Sequence, residues 1–259
     1  MAKVLYIAFI MHAPTVPTIP PEMLLLAYRS GIFPMADGRE DPEIFYVEPR
    51  RRAIIPLDGF RCSRSLAKLL RKGRYRVTCN RDFAGVIAAC AEPRPDHPET
   101  WISRRIEASY RAMHAAGYAH SVEVWHGDAL VGGLYGVGFD RVFCGESMFS
   151  RADNTSKLAL AWLVAAMRFA GMELLDCQFM TDHLASLGAI EIGQDDYCER
   201  LARAQAAGPG AALAVGSGVS TGDAGVAPGL PEGFALLLGA GAGASSLGKL
   251  IAQLLTHTS

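Results

Sequence analysis

The stretch LLDCQFMTDHLASLGA, residues 174 to 189, is the best starting point for interpreting the fold. It begins as a short apolar run typical of a buried strand, and a helical pattern follows from Asp182. Asp176 and Gln178 lie either side of Cys177, so in a strand their side chains point to one face. Polar groups on an otherwise apolar sheet face must be hydrogen-bonded or functional. The stretch therefore predicts either a catalytic pair or a polar network that joins strands.

The segments before this stretch predict helices, then a sheet, then another helix. Amphipathic or apolar helical patterns cover residues 21–30, 63–72, 82–92 and 101–118. A strand is expected near residues 74–80, and residues 120–150 alternate in a way that predicts three antiparallel strands. An apolar helix over 156–171 leads into the strand that carries Asp176. This order predicts an α+β fold with a mixed sheet.

The chain length and its local composition suggest four regions. Residues 1–60 are too few and too turn-rich to hold a core alone, so we expect a small N-terminal domain that packs on the rest. Residues 61–203 form the larger sheet domain. Residues 204–246 are rich in Ala and Gly and predict a flexible insertion. Residues 247–259 regain helical spacing and are expected to dock back on the larger domain.

Positive charge is concentrated in one part of the chain although the net charge is only −1. Eleven Lys or Arg residues lie between Arg50 and Arg81, and Asp58 is the one acid among them. A run of this kind predicts a polyanionic partner such as a nucleic acid. Within it, residues 63–72 form an amphipathic helix whose cationic face carries the candidate phosphate-binding residues Arg64, Lys68, Arg71 and Lys72.

The cysteines and the apolar runs indicate a cytoplasmic protein without metal or membrane anchor. No C-x-x-C pair occurs among the six cysteines, so reduced thiols are expected and no metal ligand set is predicted. No apolar stretch reaches the roughly 20 residues that a membrane helix needs. We expect a monomer that does not bind membranes.

Eight short sequence motifs occur along the chain, and their order resembles that of a known protein family. They are SGIFPM, SRSL, TWIS, GYAHSVEVW, LVGGLYGV, FCGESMFS, SK and LLDCQ with DHLASLGA, between about residues 22 and 201. This series resembles the bacterial leucyl/phenylalanyl-tRNA–protein transferase family. The resemblance implies a small N-terminal domain and a larger domain with an acetyltransferase-like (GNAT) fold. It implies transfer of Leu or Phe, with Met as a further candidate, from aminoacyl-tRNA to proteins with N-terminal Arg or Lys, creating a signal for degradation under the N-end rule.

The resemblance also implies site residues. It places Glu146 beside the aminoacyl moiety and Tyr110 near the acceptor end, and it makes Asp176, Gln178 and Glu146 the candidate catalytic residues. Trp101 and Tyr46 are candidates for stacking on the 3′ adenine of tRNA. The side chain of Leu or Phe would enter an apolar pocket lined by Leu134, Phe143, Leu163, Met167 and Leu175.

The chemistry asked of these residues is modest, because an aminoacyl ester is already activated and no cofactor is expected. The enzyme has to hold the incoming α-amine against the carbonyl and stabilise the oxyanion. Asp176 can orient that amine or accept its proton, whereas Gln178 is a neutral amide that can only orient or donate. A route assisted by the adenosine hydroxyl stays open, as does a role for both residues in bracing the strand.

Two other functions compete with this one. An acetyl-CoA-dependent N-acetyltransferase of the same fold needs an R/Q-x-x-G-x-G/A loop, and none occurs between Ser150 and Lys157. A non-catalytic tRNA-binding protein would explain the basic helix but not Asp176, Gln178 and Glu146 together.

Overall fold

The structure is a computed structural model that describes residues 18–93, 99–206, 229–241 and 247–256. The helices are α1 (Pro21–Arg29), α2 (Arg64–Lys72), α3 (Phe83–Cys90), α4 (Arg104–Ala115), α5 (Thr155–Phe169), α6 (Asp182–Ser186), α7 (Gln194–Ala206), α8 (Leu230–Gly241) and α9 (Leu247–Thr256). The strands are β1 (Phe33–Met35), β2 (Phe45–Val47), β3 (Arg51–Ile55), β4 (Arg76–Cys79), β5 (Ala119–His126), β6 (Ala129–Phe139), β7 (Val142–Ser150), β8 (Leu174–Gln178) and β9 (Ile190–Gly193). The mixed helix and sheet class that the sequence predicts is confirmed.

A seven-stranded sheet with the order β4-β5-β6-β7-β8-β3-β9 organises the molecule. Its strands are antiparallel except β7 and β8, which run parallel. The parallel pair is short, from Val142 opposite Leu174 to Cys144 opposite Asp176, although β7 continues to Ser150. Beyond this point the two strands are no longer paired. A gap therefore opens in the sheet beside the ends of β7 and β8.

Helices cover both faces of the sheet and each face has its own apolar core. Helices α2, α5, α8 and α9 pack on one face, and α1, α3, α4 and α7 pack on the other. Helix α5 is central to the first core, since every residue from Leu158 to Met167 is buried. Among the helices of the described residues, none has the length and apolar character needed to cross a membrane.

The N-terminal region is smaller than the expected 1–60 domain. Helix α1 and the two-stranded sheet of β1 and β2 form a small unit, but β3 lies in the large sheet between β8 and β9. Four of the five residues of β3 are buried there. Residues 51–55 therefore belong structurally to the larger domain, because β3 pairs with a strand on each side.

The Ala- and Gly-rich region contains a helix, contrary to the expected flexible insertion over 204–246. Helix α7 continues to Ala206, and α8 packs on α5, with the Phe234 ring stacked 6.0 Å from that of Trp162. The apolar face of α8, formed by Leu230, Phe234 and Leu237, has helical spacing that its glycine content obscured. Residues 207–228 and 242–246 of the predicted insertion lie outside the described residues. Helix α9 forms as its spacing predicted.

Helix α2, the basic helix of the sequence, is held in place by both its caps and its neighbours. Ser63 accepts a hydrogen bond from the Leu66 amide at the start, and Gly73 adopts the left-handed conformation at the end. Leu66, Ala67 and Leu70 are buried. Helix α9 crosses so closely that a Cβ at Gly248 would fall 2.0 Å from the Leu70 carbonyl oxygen. The cationic face of α2 is thereby left facing solvent.

Candidate active site

A cavity of about 720 Å³ occupies the gap between the separated ends of β7 and β8. Strands β6, β7 and β8, the start of α5, and α6 contribute its walls. Of the residues that the resemblance implied, six line it: Trp101, Leu134, Glu146, Leu163, Leu175 and Gln178. The cavity is large enough for an aminoacyl group and the end of a nucleotide chain.

One wall of the cavity is apolar. Leu134, Leu163 and Leu175 line it, together with Met148 and Leu160, which sequence reasoning did not name. Phe143 and Met167 were also expected here. Both are completely buried in the core beneath this wall, so they support its side chains and do not line the cavity.

The opposite wall carries Glu146, whose carboxylate receives three hydrogen bonds from neutral groups. Tyr28 donates to Oε1 at 2.7 Å, Gln178 donates to the same oxygen at 2.9 Å, and Tyr110 donates to Oε2 at 3.1 Å. The hydroxyls of Tyr28 and Tyr110 also contact each other. Burial raises the pKa of Glu146 to about 7, against the lowering effect of these three donors. The carboxyl group is therefore poised to change its charge near neutral pH.

Gln178 reaches Glu146 from an unusual backbone conformation at the end of β8. Its φ angle is 62°, in the left-handed region that residues other than glycine seldom adopt. Its amide N–H donates to Oδ1 of Asp176 at 2.8 Å. Backbone strain of this kind persists where surrounding contacts enforce it and is common at functional sites. The side chain of Asp176 thus holds Gln178 in the conformation that meets Glu146.

Asp176 itself lies behind the cavity wall and is completely buried. Each of its oxygens receives two hydrogen bonds: Oδ1 from Arg52 Nε at 2.9 Å and from the Gln178 amide, and Oδ2 from Arg52 Nη2 at 2.5 Å and Tyr197 at 3.1 Å. Four donors occupy the lone-pair positions of a carboxylate. In this structure Asp176 has no oxygen to offer to an incoming amine. The geometry favours the bracing alternative over the two in which Asp176 contacts the incoming amine.

Arg52 is part of this arrangement. The charge pattern of the sequence had placed it among the basic residues of a predicted nucleic-acid surface. It is completely buried, and its Nη1 donates to the Gly31 carbonyl at 3.0 Å. Its guanidinium lies over the rings of Phe33 and Tyr197, 4.8 and 4.3 Å from their centroids. Asp176 raises the pKa of Arg52 against the effect of burial. The arginine ties the small N-terminal unit to β8.

Two tyrosines and Arg52 were missed because no local pattern marks them as polar partners of a site. Tyr28 follows Leu24 and Ala27 at helical spacing and has the pattern of an ordinary core residue of α1. Tyr197 lies on α7 with Leu201. Tyr110, which the resemblance did name, is completely buried and acts on Glu146 from α4.

Of the two candidate stacking residues, Trp101 lines the cavity and Tyr46 does not. Trp101 lies at the cavity wall and is half-buried, so it is available to a ring bound there. Tyr46 lies on β2 with 44% of its surface exposed and does not line the cavity. The exposed ring at the cavity is instead that of Phe179, which directly follows Gln178 and has 45% of its surface exposed.

The basic surface of α2 lies on the same side of the sheet as α5. The four predicted residues Arg64, Lys68, Arg71 and Lys72 are all exposed. Helix α2 packs on α5, and the first turn of α5 contributes Lys157 to the cavity. Lys157 is thus a positively charged side chain at the cavity, on a helix that α2 contacts. Within the described ranges no group of His, Cys, Asp or Glu is arranged to hold a metal ion.

Comparison with known proteins agrees with this architecture. The family model for leucyl/phenylalanyl-tRNA protein transferase matches residues 54–202, and the model for the N-terminal domain of the same family matches residues 18–50. The chain belongs to the leucyl/phenylalanyl-tRNA–protein transferase family. It is therefore an aminoacyl-tRNA–protein transferase, an acyltransferase, and the family resemblance of its sequence blocks is confirmed.

Several curated relatives carry the name leucyl/phenylalanyl-tRNA–protein transferase. One from Novosphingobium aromaticivorans is 61% identical over 255 residues, which cover 93% of this chain and 97% of the relative. One from Zymomonas mobilis is 57% identical over 183 residues, covering 71% of this chain and 68% of the relative. One from Rhizorhabdus wittichii is 55% identical over 196 residues, covering 75% and 79%.

Proposed function

We propose that this transferase moves Leu or Phe, with Met as a further candidate, from aminoacyl-tRNA to the α-amine of proteins that begin with Arg or Lys. The product then carries an N-degron. The observation that carries the proposal is the cavity between β7 and β8, which has an apolar wall opposite a buried carboxylate. An aminoacyl ester with an apolar side chain is complementary to both walls. Its side chain matches the apolar wall, and its α-ammonium group matches the carboxylate. We further propose that the enzyme acts as a monomer in the cytoplasm, where charged tRNA is found.

The aminoacyl ester would enter the cavity with its side chain against Leu134, Leu163 and Leu175. Burial of a Leu side chain contributes about 1.5–3 kcal/mol, which favours apolar side chains over polar ones. The flexible Met148 side chain lines the same wall and lets it adjust to Leu, Phe or Met. The amino group of the ester would lie at Glu146, as the family resemblance implies.

The rest of the tRNA would lie across the positive surface. Arg64, Lys68, Arg71 and Lys72 supply contacts to phosphates that do not depend on base sequence. Lys157, which forms no ion pair among the described residues, adds a charge at the cavity wall where the 3′ end would arrive. Trp101 would stack on the terminal adenine.

In the transfer step the nitrogen of the acceptor amine forms a bond to the ester carbonyl carbon. The ester C–O bond breaks, and the amine proton ends on the released ribose oxygen. The free α-amine titrates at about 7.7–8.0, so a useful fraction is neutral at physiological pH. The contribution of the enzyme is to position the two reactants, which is a large term in reactions of activated esters.

Asp176 would act in this step as a positioning residue. It holds the strained backbone of Gln178, and Gln178 holds Glu146. With its four acceptor positions filled, the carboxylate of Asp176 supports the geometry without taking the proton. We therefore favour the alternative route, in which a hydroxyl of the terminal adenosine relays that proton.

The start of α5 gives a reason to favour aminoacyl-tRNA over acetyl-CoA. A pyrophosphate needs free backbone N–H groups at the start of a helix. Here two amides of the first turn are already occupied, since that of Thr155 donates to the Ala152 carbonyl at 3.2 Å and that of Ser156 donates to the Ser150 hydroxyl at 3.0 Å. No glycine occurs between Ser150 and Lys157.

A panel of donors and acceptors tests this proposal. Leu-, Phe-, Met- and Val-tRNA are each offered with peptides that begin with Arg, Lys, Ala or N-acetyl-Arg, and product is quantified by mass spectrometry. We expect product from Leu- and Phe-tRNA with the Arg and Lys peptides, and none with the blocked peptide. Equal transfer to the Ala peptide would contradict the acceptor preference, and acetylation by acetyl-CoA would contradict the reaction class.

A further inference from the structure

The edge strand β4 presents a group of arginines that lies outside the cavity. Arg74, Arg76 and Arg81 lie in or beside this strand, and all three are exposed. None of them forms an ion pair with an acid among the described residues. Strand β4 pairs with β5 alone, so its other edge has no strand partner in the described part of the chain. This edge therefore carries positive charge that remains available to a ligand.

Aromatic rings hold these guanidinium groups in place. The guanidinium groups of Arg76 and Arg81 both lie over the ring of Trp125, 5.4 and 5.3 Å from its centroid. That of Arg74 lies 5.4 Å from the ring centroid of Tyr75. A guanidinium group that stacks on a ring keeps the N–H groups at its edge free for a phosphate. Because the ring already restricts the side chain, such an arginine loses less conformational freedom on binding.

Cations lie on both faces of the sheet at this edge. Val77 packs against the core that contains α2 and α5, so the side chain of its neighbour Arg76 points to the opposite face. Helix α2 and strand β4 border one groove on the first face, and Gly73 connects the helix to the strand. The exposed cations of α2 and those of β4 thus flank a single edge. A duplex nucleic acid, which carries phosphates on two strands, is complementary to such an edge.

The same end of the sheet leads to the cavity. A row of paired residues crosses the four strands from β4 to β7, and it consists of Val77, Val124, Gly132 and Ser150. Ser150 lines the cavity. Three steps between neighbouring strands amount to about 14 Å. Stacked nucleotides occupy roughly 3.4 Å each, so this distance corresponds to about four nucleotides. A tRNA whose last nucleotide lies in the cavity would reach β4 where its unpaired 3′ end joins the acceptor stem.

We propose that the edge of β4 binds the acceptor stem of the tRNA, with Arg74, Arg76 and Arg81 in contact with its phosphates. These contacts do not depend on base sequence, and they hold the stem in position while the aminoacyl group occupies the cavity. This inference rests on the proposed function, because it takes an aminoacyl-tRNA as the donor.

The double substitution Arg76→Gln with Arg81→Gln tests this surface. Filter binding of Leu-tRNA at several salt concentrations gives the slope of log affinity against log salt. We expect the slope to decrease in magnitude by about 1.4–1.8, since each lost phosphate contact removes roughly 0.7–0.9. The matched control, Arg200→Gln with Arg203→Gln, removes two charges from α7, which packs on β9 at the other end of the sheet, and should keep the wild-type slope. An unchanged slope in the β4 variant would overturn the proposal.

A conservative variant separates the loss of charge from a loss of packing. Arg76→Lys with Arg81→Lys removes the same flat contacts with the Trp125 ring but keeps both charges. It should therefore retain nearly the whole wild-type slope. A slope as low as that of the Gln variant would mean that the substitutions act through the packing of Trp125, and it would overturn the proposal.

A short donor separates the acceptor stem from the 3′ end. The leucyl ester of the trinucleotide CCA can occupy the cavity but has no acceptor stem. The Gln variant should have a KM for Leu-tRNA raised about twofold to thirtyfold, the range for two exposed ion pairs, and an unchanged KM for the trinucleotide ester. An equal rise with both donors would place the effect in the cavity and overturn the proposal. Absence of transfer by the wild type from either donor would refute the proposed function, whereas the salt slope would still report on β4.

Discussion

The guanidinium of Arg52 donates two hydrogen bonds to Asp176, from Nε to Oδ1 at 2.9 Å and from Nη2 to Oδ2 at 2.5 Å. Both side chains are completely buried. Arg52 lies on β3 and Asp176 on β8, so the pair joins two neighbouring strands of the sheet at the edge of the cavity. Because Asp176 also accepts from the Gln178 amide, the pair fixes the residue that meets Glu146. Asp176 therefore influences the site through geometry.

Substitution of Asp176 by Ala should destabilise the protein as well as slow transfer. Removing one partner of a buried ion pair leaves an uncompensated charge and typically costs about 3–5 kcal/mol. Urea unfolding of the wild type and the variant measures this loss. A variant with normal stability and a transfer rate lowered by about 10²- to 10⁴-fold would instead indicate a direct proton-transfer role for Asp176.

The double substitution Arg52→Met with Asp176→Leu separates stability from positioning. Replacing both partners by apolar residues of similar volume removes the uncompensated charge, so much of the lost stability should return. Transfer should stay low, because the Gln178 amide no longer has the acceptor that holds its strained conformation. Recovery of transfer together with stability would mean that the pair only braces the strands.

Acidification should weaken the binding of aminoacyl-tRNA through Glu146. The pKa of this residue is raised to about 7, and only its ionised form attracts an ammonium group. Below that pH the neutral form accumulates, so KM for Leu-tRNA should rise by about tenfold for each pH unit. Steady-state kinetics from roughly 1.5 pH units below this pKa to roughly 0.5 above it measure the slope. Glu146→Gln should have a high KM with little dependence on pH over this range.

Charge reversal on α2 should weaken tRNA binding without changing the chemistry. Each phosphate that the protein no longer neutralises lowers the slope of log affinity against log salt by roughly 0.7–0.9. Arg64→Glu combined with Lys68→Glu should therefore flatten the salt dependence by up to about twice that value. Arg203→Glu, an exposed arginine at the end of α7, is the control and should have a smaller effect. Filter binding at several salt concentrations gives both quantities.

A larger side chain at Gly233 should detach α8 from α5. A Cβ at this position would lie 2.3 Å from the Ala166 carbonyl oxygen and 2.9 Å from the Ala170 side chain, so the two helices could not stay in contact. Gly233→Val should lower the melting temperature by several degrees. Gly239→Ala in the same helix meets nothing within 4 Å and should keep or slightly raise it. Equal behaviour of the two variants would contradict the observed packing of α8.

Local sequence patterns predicted most of the helices and strands that carry the site residues. Alternation of apolar and polar residues and helical spacing are properties of short segments, so they can be recognised without knowledge of the fold. The antiparallel strands β5 to β7, helix α5 and strand β8 all follow from such patterns. The pairing of Arg52 with Asp176 did not follow, because it joins residues 124 positions apart. The hydrogen bond from Tyr28 to Glu146 was not predicted for the same reason, since Tyr28 lies in the small N-terminal unit and Glu146 in the large sheet.

The role of Arg52 shows where charge patterns mislead. Its neighbours Arg50 and Arg51 are exposed, whereas Arg52 points to the interior face of β3 and is buried. Side chains of a strand alternate between faces, so a run of like charges in a strand does not face one partner. Helix α8 was missed for a different reason, since its glycines lowered the helical signal although its apolar face is intact.

The most direct measurement of the central claim is transfer of labelled Leu from Leu-tRNA to a peptide that begins with Arg, under single-turnover conditions, by the wild type and by Glu146→Gln. The wild type should attach Leu to the N-terminal α-amine. Glu146→Gln should need more enzyme to reach the same rate, because the carboxylate that meets the ammonium group is gone. A wild type that binds charged tRNA but never forms the new peptide bond, or a Glu146→Gln variant that is indistinguishable from it, would contradict the account.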